Sequence, residues 1–147
     1  MRELLYLKDE QIKEFIEKLF LCYRDTFSDS KSVLNKYSLG IAHNKVLHIL
    51  SVYEGITIGE LLNKLKITKQ SLNRVLKDLK RLKIVKQIKD ENDTRRKLLY
   101  LDQNGKKFYK EVFESQKKRI FNALKESDSD SVIRFKEVLK KIINGKK

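Results

Sequence analysis

Seven residues between positions 68 and 77 carry groups that can read or grip a nucleic acid: Thr68, Lys69, Gln70, Ser71, Asn73, Arg74 and Lys77. Gln and Asn pair bidentately with adenine, Arg and Lys pair with guanine, and Ser can bond either a base or a phosphate. Further along, Asp93, Arg95, Arg96 and Lys97 close a charged stretch that begins at Asp90. An arginine at the tip of a β-ribbon can enter a narrow minor groove. Asp93, two residues before Arg95, can orient its guanidinium or shape the turn. Each group alone is also compatible with a solvated surface. Together, in this order, they point to a module that holds a duplex in two grooves.

The spacing of apolar residues defines the elements that must position these groups. Ile12, Phe15, Ile16, Leu19, Phe20, Tyr23 and Phe27 predict a first helix from Asp9, which ends at Ser28-Asp29-Ser30; a loop to Gly40 follows. A second helix carries Ala42, Val46, Ile49, Leu50 and Tyr53 and stops at Gly55. Thr57 predicts the N-cap of a short third helix, with Glu60 completing a capping box. After a tight turn at Lys66-Ile67-Thr68, Thr68 caps a fourth helix over 68–83 whose core positions are Leu72, Val75, Leu76, Leu79 and Leu82. Ile84 to Lys89 and Leu98 to Leu101 predict two strands around a wing at 90–97. Asp102 or Asn104 caps a fifth helix, Ser127-Asp128-Ser129-Asp130 breaks it, and a sixth runs to Gly145.

This order gives a fold class that is mainly α with a small β-wing. It is a winged helix-turn-helix whose N- and C-terminal helices form a dimerisation domain. Residues 41–102 are expected to be the DNA-binding domain, and 1–40 with 103–147 the helical dimerisation region. The terminal helices are apolar on more than one stripe, as Phe108 and Val112 beside Tyr109 and Phe113 show. Extended helices of one small chain cover such stripes poorly, which points to a two-fold homodimer.

Charge is concentrated where the chemistry is. The 147 residues carry a net charge of +14, and Lys64 to Lys97 hold 13 basic and 4 acidic residues. By contrast, residues 1–40 hold 7 of each and are neutral. Such a footprint favours a polyanionic partner, either nucleic acid or an anionic membrane surface, and the two-groove module points to double-stranded DNA. A small basic RNA- or ribosome-associated structural protein is the alternative, although the ribbon offers only Tyr100 for stacking on a base. The single cysteine, Cys22, excludes an intrachain disulfide and suits a reducing compartment. Met1-Arg2-Glu3-Leu4-Leu5-Tyr6 does not read as a signal peptide, and no apolar run approaches a membrane span. The expected location is cytoplasmic.

No phosphate-binding loop, nucleophile elbow or His-Glu-x-x-His pattern is present, so an enzyme is not expected. His43 and His48 are five apart and have no second cysteine to join, so neither a metal site nor a cofactor is expected. Cys22, within an apolar helix, reads first as a buried structural cysteine and second as a redox sensor.

The pattern Asp90-x-x-Asp93-x-Arg95, followed by Leu101 and Gly105, resembles the wing signature and strand-to-helix junction of the MarR family of bacterial winged-helix regulators. The resemblance spans residues 10–143. It implies that the helix over 68–83 is the recognition helix, that Asp93 and Arg95 form the wing-tip pair, and that the terminal helices pair two copies. Two departures stand out: Asp102 occupies a position where the family often has Thr, and Lys83 one where a helix-ending Gly is usual. A narrower likeness to the PetP-type subgroup rests on Tyr23-Arg24-Asp25, Ala42-His43, Val46-Leu47-His48 and Thr68-Lys69-Gln70-Ser71-Leu72. The family resemblance further implies a small, often aromatic, anionic effector, or in some members a reactive cysteine. Cys22, Tyr23, His43 and Leu47 are the residues expected to line an effector cleft between the first, second and fifth helices.

Overall fold

The computed structural model describes residues 4–145. After a short 3-10 turn at Leu5–Leu7, helix α1 spans Asp9–Ser28, α2 Lys31–Asn35, α3 Ile41–Val52, α4 Ile58–Leu65 and α5 Lys69–Arg81. Strands β1 (Ile56–Thr57), β2 (Val85–Lys89) and β3 (Lys97–Leu101) precede α6 (Gln103–Lys125) and α7 (Ser129–Ile142). No described helix is long and apolar enough to cross a membrane.

Two elements differ from the sequence expectation. The segment after α1 is not all loop, because Lys31–Asn35 forms one helical turn that buries Leu34. The β-structure is a three-stranded antiparallel sheet in the order β1-β3-β2, not a two-stranded ribbon. Strand β1 has two residues and depends on pairing Ile56 with Leu99 and Thr57 with Leu98. A strand that short has no periodicity of its own to announce it.

The buried core runs from Leu34 to Val112, and neither α1 nor α7 adds a fully buried residue to it. Within α5, Leu72, Val75, Leu76 and Leu79 follow i, i+3, i+4, i+7 and lie at most 7% exposed. That stripe, at about 1.5–3 kcal/mol for each buried side chain, decides which face of α5 is left for solvent. Thr57 Oγ1 accepts the Glu60 N–H at 3.2 Å and starts α4 as expected; the Glu60 carboxylate itself lies against Arg96. Lys66, at φ 51°, makes the left-handed turn between α4 and α5.

Helix α5 ends on a left-handed residue that is not glycine. The Ile84 N–H reaches Leu79 O at 2.9 Å and the Lys83 N–H reaches Lys80 O at 3.0 Å, the paired bonds of a Schellman cap. Lys83 occupies the left-handed position at φ 58°, where a Cβ is penalised. The cap geometry therefore survives the departure from glycine, at a conformational cost. Lys83→Gly is expected to stabilise the fold by about 1 kcal/mol, less than the left-handed penalty because glycine is freer when unfolded. Chemical denaturation measures this; an unchanged or lowered midpoint would show that Lys83 carries no strain.

At the far end of the sheet, the Asp102 carboxylate caps α6 by accepting the Gln103 N–H at 2.8 Å. Gly105 follows in the first turn, where an added Cβ would come within 2.0 Å of Ile84 O. This close approach, rather than any special φ, explains glycine at the strand-to-helix junction. It lets the first turn of α6 pack against the Ile84 backbone just after the α5 cap.

Candidate nucleic-acid interface

The leucine stripe of α5 turns Lys69, Gln70, Asn73, Arg74 and Lys77 out to solvent. Among the described residues, Lys69 and Arg74 have no carboxylate within ion-pair distance. The two hydroxyls beside them are already engaged. Thr68 Oγ1 accepts the Ser71 N–H at 3.1 Å and bonds the Ser71 hydroxyl at 2.9 Å. Thr68 and Ser71 thus build the helix start, while Lys69, Gln70, Asn73, Arg74 and Lys77 keep free polar groups. The first turn of α5 contains no acidic residue, so the positive end of the helix dipole adds to their field.

The wing closes through Asp90 N–H to Arg96 O and Arg96 N–H to Asp93 O, both at 2.9 Å. Asp90 Oδ1 also accepts the Asn92 N–H at 3.0 Å. Asp93 Oδ1 accepts both the Arg95 backbone N–H at 3.1 Å and the Arg95 Nε–H at 3.3 Å. One carboxylate therefore shapes the turn and aims the guanidinium, as the spacing of the two residues suggested. The Arg95 side chain is 91% exposed, so its remaining donors face solvent.

Arg96 behaves differently from its neighbour. Its guanidinium turns back toward Glu60 on α4 at 3.5 Å and Asp90 at 3.8 Å. Lys97, the first residue of β3, pairs in register with Lys89 on β2. Like charges directly opposite on a ribbon repel, and a polyanion laid across the wing relieves that repulsion. Spacing alone does not mark Lys89; its place opposite Lys97 follows from the closure of the turn by Asp90 and Arg96.

The four residues expected to line an effector cleft have different surroundings. Leu47 is fully buried in the core. His43 is bound to Gly40 and to Asp78 on α5. Tyr23 lies under the Lys45 ammonium, 4.9 Å from the ring centre. Cys22 is exposed. The expectation of a buried structural cysteine is thus corrected, and the reason is that α1 lays no residue fully into the core of its own chain.

A cavity of about 350 Å³ does open between the three helices expected to border the cleft, one turn beyond Cys22. Thr26 and Phe27 come from α1, His48 from α3, and Phe113, Gln116 and Ile120 with their neighbours from α6. Its walls are mainly apolar. His48 Nδ1 lies 2.8 Å from the Tyr109 hydroxyl. Desolvation at this spot holds the His48 pKa below the ordinary histidine value and pushes the Tyr109 pKa up. Gln116 Nε2 donates to Thr26 O at 3.0 Å, and Arg119 grips Asp29, so α6 holds the end of α1 over this space. Arg119 holds the Asp29 carboxyl below the usual carboxylate range. Among the described residues no cluster of His, Cys, Asp or Glu could hold a metal ion.

Comparison with known proteins agrees with this architecture. Residues 40–96 match the model of the MarR family. Over 141 residues the chain is 33% identical to the HTH-type transcriptional regulator PetP of Rhodobacter capsulatus, covering 96% of this chain and 85% of that relative. Among solved structures it is similar to NadR in complex with 4-hydroxyphenylacetate, with a TM-score of 0.76 and 20% identity over 98% of this chain and 99% of the other. It is also similar to a cysteine-to-serine variant of MarR from E. coli complexed with operator DNA, with a TM-score of 0.66 and 21% identity over 95% and 99% of the two chains.

Proposed function

The chain belongs to the MarR family of transcriptional regulators, and on that premise we propose that it is a homodimeric, sequence-specific DNA-binding regulator of a pseudo-palindromic operator. Helix α5 of each copy enters a major groove, and the wing at 90–97 enters the adjoining minor groove. The observation that carries the reading is Arg95, almost fully exposed yet held in one direction by Asp93. Order of this kind on an exposed cation suits a groove that meets its remaining donors. Lys69, Gln70, Asn73, Arg74 and Lys77 are the base and phosphate contacts of α5; Thr68 and Ser71 fix its start, and Lys97 with Lys89 meets the backbone.

Residues 41–102 act as the reading module, and 1–40 with 103–147 as the dimerisation region. The exposed apolar residues of the terminal helices support that division. Phe15 and Ile16 on α1 are 54% and 57% exposed, and Phe135, Val138 and Ile142 on α7 are 50–55% exposed. A helix without a buried residue has little in its own chain to hold it in place, and a second copy supplies what is missing. The cavity beside His48 has room for a small aromatic molecule, which supports reading the regulator as ligand-responsive. A solved structure of NadR with 4-hydroxyphenylacetate is one of its structural neighbours.

Selection of genomic fragments on the purified protein tests the proposal. Recovery of duplexes sharing two inverted half-sites, with affinity that falls steeply as salt rises, is the expected result. Preference for structured RNA over any duplex would favour an RNA-associated role instead. On a recovered fragment, Gln70→Ala is expected to change base preference at one position per half-site, worth about 1–3 kcal/mol, more than it changes total affinity. Equal weakening on every sequence, measured across a panel of single-base variants, would show that Gln70 does not read a base.

A further inference from the structure

We infer that His43 is a positioning residue for the DNA-reading helix: through Asp78 it fixes the rotation at which α5 presents Gln70, Asn73 and Arg74. The inference rests on the reading of α5 as the base-reading helix.

The imidazole is held at both nitrogens. Nδ1 lies 3.0 Å from the Gly40 N–H at the start of α3. A backbone N–H can only donate, so Nδ1 offers its lone pair and the proton resides on Nε2. Nε2 then donates to Asp78 Oδ2 at 3.0 Å. The ring is 15% exposed, so water competes poorly for either bond. The same bond, first among several influences, holds the Asp78 carboxyl below the usual carboxylate range.

Asp78 is the single acidic residue of α5, on a helix with five lysines and arginines. A negative charge on a helix that faces a polyanion weakens every phosphate contact, so its presence calls for another reason. Packing supplies one. Helix α5 is seated by Leu72, Val75, Leu76 and Leu79, and apolar contact is non-directional. Among the described residues, His43 to Asp78 is the one side-chain hydrogen bond between α3 and α5. The leucines set which face of α5 turns outward, and a hydrogen bond with fixed donor and acceptor angles narrows the rotation about the helix axis that remains.

Two substitutions with the same charge change separate position from charge. Asp78→Ala and Asp78→Asn each remove one negative charge, but asparagine keeps an acceptor oxygen for the Nε2 proton. Affinities are measured on the tightest genomic fragment and on a scrambled duplex of equal length. The ratio of the two is the readout, since a loss of folded protein lowers both alike. On the scrambled duplex both variants are expected to bind somewhat tighter and by the same factor. The specificity ratio is expected to fall about 10-fold for Asp78→Ala and less than about 3-fold for Asp78→Asn. His43→Ala should match Asp78→Ala, and combining the two should add nothing. Equal ratios for Ala and Asn, both at the wild-type value, would overturn the inference. A wild-type protein without any preference between fragment and scrambled duplex would instead overturn the reading of α5 itself.

Discussion

Phe135→Glu is expected to convert the protein to a monomer and to lower operator affinity by about 100-fold or more. Phe135, Val138 and Ile142 recur at i, i+3, i+7 on α7, and Phe135 is 53% exposed within a single chain. Replacing it therefore removes little from the monomer's own core. A carboxylate buried against a partner's apolar face has no counter-charge there, a cost of several kcal/mol that a dimer interface does not tolerate. Losing the second copy removes the linkage between half-sites, which multiplies affinity by about 10²–10⁴ when both engage. Light scattering gives the mass and fluorescence anisotropy the affinity. A variant that stays dimeric and binds normally would place the dimer contact elsewhere.

Arg95→Ala is expected to weaken operator binding by about 10- to 100-fold, with little change in melting temperature. The side chain is 91% exposed and its ion pair with Asp93 lies on the surface, so the fold depends on it weakly. In a minor groove the same guanidinium meets concentrated negative potential from both strands. Two wings lose that contact at once, and the dependence of affinity on salt should become shallower. Arg95→Lys should recover part of the salt dependence but not the affinity, because an ammonium is a point charge without the planar fork that Asp93 aims. Unchanged affinity of Arg95→Ala across a salt titration would remove the wing from the interface.

The same two residues show how far the sequence could be read. Asp93 and Arg95 are two apart, and a bond that local follows from spacing; so do the Thr68 cap and the leucine stripe of α5. Contacts that depend on tertiary approach were out of reach. His43 and Asp78 are 35 residues apart and meet only because α3 crosses α5. Strand β1 exists because β3 offers it an edge. The turn of helix at Lys31–Asn35 is too short for periodicity to show. At the cleft, the bordering helices came from the family resemblance, and neither it nor spacing gave their rotation. The cavity therefore opens at Thr26, Phe27 and His48, one turn from Cys22, while Leu47 faces the core. Lys83 shows the opposite case, a residue ill suited to its left-handed position that still closes a cap which its departure from glycine did not promise, with Leu79 and Ile84 on either side buried.

Base-resolved protection of a recovered genomic fragment shows whether two copies of α5 read the duplex. Guanine methylation in the major groove and hydroxyl-radical cleavage of the backbone are read together along the fragment. Two symmetric patches of major-groove protection are expected, about 10 bp apart centre to centre on one face, each with an adjoining minor-groove segment shielded by a wing. The minor-groove protection should vanish in Arg95→Ala while the major-groove patches remain at saturating protein. A single unsymmetric patch, or protection confined to the backbone with no major-groove signal, would contradict a two-fold reader built on α5.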